Sequence, residues 1–227
     1  MVKQICSFLL VLFSVGIVNA QSTDEKLAAQ FYENAEYDKA VELYEKIYKR
    51  NKTVYVYENY LNCLIALEDE KEATSLVKKQ SKAYNNSVKY LVDYGYILQV
   101  FNKEEQAQNY YASLIEENTN DVNKAITLAQ TFLRRQQTKQ VVQTYKLGMK
   151  KLGTMALYRQ ALGAYRITNN YNEMIGLALR VLDENSGTLY PVVNQLSTVF
   201  NDEAATEKLR EQTMLYIQRN PGKVVFE

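Results

Sequence analysis

Apolar positions recur at helical spacing from Leu27 onward. Leu27, Phe31, Tyr44 and Ile47 are the large apolar residues of the first stretch, and Ala28 and Ala40 are small ones beside them. The intervals of three, four and seven residues place each set on one side of a helix. The polar segment Asn34 to Asp38 separates the two sets. The pattern predicts a helix–turn–helix hairpin over Leu27 to Lys52. A lone hairpin cannot bury its apolar side, so it needs a neighbour.

The neighbour is the same pattern again. Stepping from Ala40 reaches Ala73, Ala107, Val141, Ile175 and Leu209, first by about 33 residues and then by about 34. Four places beyond each stand Tyr44, Val77, Tyr111, Tyr145, Leu179 and Thr213. Near the end of each preceding half lie Phe31, Leu64, Leu98, Phe132, Arg166 and Phe200. Arg166 and Thr213 are polar where the pattern wants an apolar residue. Six units follow, over about 21–53, 54–86, 87–121, 122–154, 155–189 and 190–222, with Pro221 as a stop because proline cannot continue a helix. The fold class expected is all-α, and no low-complexity linker interrupts the array.

Met1 to Ala20 stands outside this scheme. Lys3 is followed by an uncharged apolar run from Ile5 to Val18, and then by Val18-Asn19-Ala20. A basic start, an apolar core too short for a bilayer and small residues at the end predict a secretory signal peptide. The expected mature chain starts at Gln21, carries no membrane span and resides in the periplasm or cell envelope. At the other end, Val224-Val225-Phe226-Glu227 is apolar where a seventh unit would start, so the array is expected to continue or to self-associate there.

Composition narrows the chemistry. There are 27 Lys and Arg against 26 Asp and Glu, and Lys3 is the excess charge, so the expected mature chain is neutral. Neutrality gives no field that gathers nucleic acid. There are 19 Tyr but no His, and only Cys63 remains beyond the signal segment. No imidazole base, no His-held metal, no thiolate cluster and no internal disulfide can be built from this set. The chain is therefore expected to be no enzyme and to take no cofactor and no metal. Charge is uneven along the chain: unit three is rich in acids, and unit four carries Lys124, Arg134, Arg135, Lys139, Lys146, Lys150 and Lys151 with no acid. These neighbouring units are expected to neutralise one another, the other reading being an anion-binding surface.

The 34-residue two-helix unit resembles the tetratricopeptide repeat, across the whole chain after the first twenty residues, although no Trp fills the first signature position. By composition the chain also resembles scaffold proteins of Bacteroidetes envelopes. The repeat resemblance implies a right-handed α–α superhelix whose first helices line a groove, and a scaffold for a protein or peptide. Carried onto this chain, the groove takes Tyr55, Asn59, Asn62, Tyr96, Gln99, Gln130 and Arg134, with Glu25, Tyr32, Glu58, Lys89, Asp93 and Thr127 beside them. Tyrosine offers a rigid apolar body with a polar tip, and Asn and Gln can serve both donor and acceptor of a peptide backbone. Glu25 and Ala29 stand where chaperone-binding members place Lys and Asn, so that clamp is missing. The alternative role is a structural spacer or envelope-assembly part with no groove ligand.

Overall fold

The computed structural model describes residues 23–198 and 202–221. The predicted signal segment and the run Val224 to Glu227 lie outside the described residues.

Every regular element among the described residues is helical. The helices are α1 (residues 23–33), α2 (Tyr37–Arg50), α3 (Val54–Ala66), α4 (Glu70–Ala83), α5 (Val88–Val100) and α6 (Glu104–Asn118). They continue as α7 (Val122–Arg134), α8 (Thr138–Leu152), α9 (Thr154–Ile167), α10 (Tyr171–Glu184), α11 (Leu189–Ser197) and α12 (Glu203–Arg219), with a short 3-10 turn at Ser186–Thr188. Paired in order, they reproduce the six predicted hairpins. No helix among the described residues is long and apolar enough to cross a membrane.

One turn closes five of the hairpins. Ala35, Glu68, Asn102, Gln136 and Asn169 adopt positive φ, between 55° and 60°. The next backbone N–H reaches back to the carbonyl of Phe31, Leu64, Leu98, Phe132 or Tyr165, at 2.8 to 2.9 Å. This double hookback satisfies the last carbonyls of the first helix and reverses the chain at once. Side-chain caps start several helices: Thr53 accepts from the Val56 N–H, Asp69 from Glu72, Asp121 from Lys124 and Asp202 from Ala205.

The turn exposes an error in the expected register. Tyr165, not Arg166, is the counterpart of Phe132, so this step is shorter by one residue than a constant repeat implies. Arg166 is accordingly half-buried, and Tyr165 is 1% exposed. The same shift makes Met174 the counterpart of Val141, with Ile175 buried next to it. In α12 the buried residue is Ala205, whereas Leu209 and Thr213 are half-buried.

The chain divides into two compact units, Met1–Glu104 and Glu105–Glu227. In the first, hydrogen bonds from Asn62 to Tyr32 and from Tyr57 to Asp93 set α1, α3 and α5 side by side in one layer. Tyr48 donates to Gln80 at 2.6 Å and joins α2 to α4 in the other layer. In the second unit α7, α9 and α11 pack in sequence, and α8 is tied to both α6 and α10 by ion pairs. The core of each unit lies between its layers. Burying one such side chain fully, for example Leu61 or Phe132, contributes about 2–3 kcal/mol.

Candidate interaction face

The first-helix layer of the first unit carries five of the seven predicted groove residues. Tyr55 lies in the first turn of α3 and is 55% exposed, whereas Tyr57 on the opposite side of the same turn is fully buried. Helical spacing explains the contrast, because two residues are more than half a turn apart. Asn59 and Asn62 follow on α3 and are half-buried.

Both amides are held by tyrosines of the preceding hairpin. Asn59 Nδ2 donates to the Tyr44 hydroxyl at 3.1 Å, and Asn62 Nδ2 donates to the Tyr32 hydroxyl at 3.2 Å. The Tyr32 and Tyr44 rings meet edge to face, with centroids 6.4 Å apart. Burial, and next the adjoining Tyr55 hydroxyl, push the Tyr44 hydroxyl well above the ordinary phenol range. The Tyr44 proton is therefore retained at neutral pH. Each asparagine spends one N–H in this network and keeps its carbonyl oxygen for another partner. The network was not legible from sequence, because its partners are 15 and 30 residues apart.

On α5, Tyr96 and Gln99 are half-buried, and Gln99 donates to the Glu104 carboxylate at 3.2 Å. Asp93 does not belong to this face. It is fully buried and accepts from the Tyr57 hydroxyl at 2.7 Å, so its role is to join α3 to α5. Gln130 and Arg134 lie on α7 in the second unit, and both are exposed.

The structure also places the uneven charge. Lys146 of α8 pairs with Glu173 of α10 at 2.7 Å, and Lys151 of α8 pairs with Glu116 of α6 at 2.7 Å. Lys151 is thus answered by the acidic third hairpin, as expected, and Lys146 by Glu173 of the fifth. A cleft of about 610 Å³ opens elsewhere, between α10 and α12, with Arg180, Asp183, Lys208 and Glu211 on its walls. Its mixed charge selects no ligand class. Cys63 is buried in α3, and burial pushes its thiol up to about 12, so it holds no thiolate at neutral pH. Among the described residues no cluster of His, Cys, Asp and Glu could hold a metal ion.

Hairpins of about 34 residues with a common closing turn define an all-α, tetratricopeptide-like fold. No known family profile matches the chain, and no curated protein matches it. Solved structures do. The chain is similar to YrrB, described as a TPR protein with an unusual peptide-binding site, at 15% identity over 75% of this chain and 89% of that one, with a TM-score of 0.32. It is similar to a thermophilic TPR protein of Thermus thermophilus, TTC0263, at 12% identity over 79% and 98%, with a TM-score of 0.36. A third similar structure is PilF of Pseudomonas aeruginosa, at 19% identity over 75% and 79%, with a TM-score of 0.35.

Proposed function

We propose that this chain is an exported, non-catalytic scaffold that holds a protein or peptide segment in the cell envelope. The segment lies against the first-helix layer of the first unit. Tyr55 and Tyr96 are its aromatic anchors in the first unit, and Asn59, Asn62 and Gln99 serve its backbone. Gln130 and Arg134 are exposed polar groups on the first-helix layer of the second unit.

The observation that carries this reading is the Tyr55–Asn59–Asn62 constellation. An exposed aromatic ring stands beside two amides whose orientation is already fixed by the buried Tyr44 and the half-buried Tyr32. Fixed groups lose little freedom when they bind, so more of the contact energy appears as affinity. The absence of histidine from the sequence and the inert state of Cys63 support a role in binding rather than catalysis. Export rests on the basic start and short apolar run of residues 1–20.

Two experiments test the reading. Mass spectrometry of the protein from its native host is expected to find Gln21 at the amino terminus, and mature material that retains Met1 would contradict export. Once a partner is isolated, Tyr55→Ala and Tyr96→Ala are each expected to weaken its binding by about 1–3 kcal/mol. If both variants fold normally and bind as the parent does, the groove assignment is wrong.

A further inference from the structure

The first-helix layer of the second unit carries charge of one sign. From Val122 to Asn172 the sequence contains no Asp or Glu, but it contains nine Lys and Arg. In the second-helix layer Glu116 and Glu173 answer part of that charge. In the first-helix layer α7, α9 and α11 contain no acidic residue. Their cations are Lys124, Arg134, Arg159 and Arg166, the first three exposed and the last half-buried. Of the acids adjacent in sequence, Asp121 caps the α7 backbone at the Lys124 N–H, and Glu173 is engaged by Lys146.

Two of the guanidiniums show further features. Arg159 lies over the Tyr158 ring at 5.5 Å and donates through Nε to the Tyr158 hydroxyl at 3.0 Å. That support leaves its terminal nitrogens for an incoming group. The Nε of Arg166 is buried and has no hydrogen-bond partner. A guanidinium presents its donors in a planar fork that suits a carboxylate in bidentate contact.

The apolar residues of the layer define the rest of the ligand. Met155 and Ile167 of α9 and Val193 of α11 are exposed at 39%, 59% and 45%. The rings of α7 and α9, Phe132, Tyr158 and Tyr165, are buried, and Tyr190 of α11, 82% exposed, is a single ring rather than the series on which successive nucleic-acid bases stack. We infer that this layer docks an acidic peptide segment whose Asp and Glu side chains alternate with aliphatic ones. The inference rests on the peptide-binding reading of the first-helix faces, and it names the chemistry of the occupant over the second unit.

The test is to pan a random dodecapeptide library against the full chain at low salt. Recovered peptides are expected to be enriched in Asp and Glu together with Leu, Ile or Val. The best of them, labelled for fluorescence anisotropy, is expected to bind about tenfold more weakly to Arg134→Gln/Arg159→Gln, and to weaken further as salt rises. Lys124→Gln/Arg159→Gln, which leaves Arg134 in place, is expected to weaken it several-fold, and circular dichroism checks that each variant folds. Lys139→Gln/Lys150→Gln on α8 is expected to leave binding within about twofold of the parent. Equal loss from the α8 pair would overturn the inference. So would displacement of the peptide by oligo(dT) or by anionic phospholipid vesicles at concentrations where the acidic peptide itself does not compete. Recovery of neutral peptides that depend on Tyr55 would overturn this inference alone. Recovery of no peptide would overturn the peptide-binding reading beneath it.

Discussion

The Tyr57 hydroxyl donates to the Asp93 carboxylate at 2.7 Å, and the two residues are both fully buried. They come from α3 and α5, the first helices of successive hairpins, so this bond fixes the spacing of the layer that presents Tyr55 and Tyr96. Tyr57→Phe removes the donor and keeps the ring. A buried acceptor that loses a partner costs about 1–3 kcal/mol. Urea unfolding of Tyr57→Phe is expected to show that loss as a lower midpoint with an unchanged slope.

Glycine is required at one helix contact and not at another. A Cβ at Gly148 of α8 would lie 2.7 Å from Leu157 Cδ1 and 3.6 Å from Ala125 Cβ, both on packed first helices. Gly148→Val is expected to destabilise the fold by about 1–3 kcal/mol through overpacking. A Cβ at Gly163 of α9 meets nothing within 4 Å. Gly163→Ala is therefore expected to stabilise by about 0.5–1 kcal/mol, since alanine is the better helix former. Parallel thermal melts check both signs.

The left-handed residue of the closing turn offers a second such contrast. Ala35 occupies it at φ 58°, where an L-residue with a Cβ is strained. Ala35→Gly is expected to raise stability by about 1 kcal/mol. Asn102, in the same position of the third hairpin, tolerates it better. Asn102→Val is expected to lower stability by at least as much, measured by the same melts.

The absence of histidine and the burial of tyrosine set the pH response. Burial pushes the Tyr48, Tyr60 and Tyr145 hydroxyls from their ordinary value of 10 up to about 12. A raised folded-state value means that the native state holds its protons longer than the unfolded chain does. Their stability is fully present below pH 10 and is lost as pH rises from 10 towards 12. Helix loss and ionisation of these buried tyrosines are expected to appear together in that window. Ionisation of all tyrosines with helix intact at pH 12 would contradict the burial.

Much of this fold was legible in the sequence because its markers are local. Ala40, Ala73, Ala107 and Val141 are each buried at the same point of a hairpin, and the polar turns fall between the helices as expected. The slip at the fifth hairpin was hidden because Met174 and Ile175 are both apolar and both buried, so a constant step met no visible penalty. Asp93 was misread for another reason. Nothing within its own helix shows that Tyr57, 36 residues earlier, covers and binds it. The same distance hid the Tyr32–Asn62 and Tyr44–Asn59 bonds, although the asparagines themselves were picked out by spacing.

The central claim is that the first-helix layer is the binding face, and site-specific photocrosslinking in the native host tests it most directly. A photoreactive residue is placed at Tyr55, at Tyr96 and, on the second-helix layer, at the exposed Lys79 and Lys150. The account predicts that Tyr55 and Tyr96 give the same crosslinked partner and that Lys79 and Lys150 give none. A partner captured from Lys79 or Lys150, with nothing from Tyr55 or Tyr96, would contradict it.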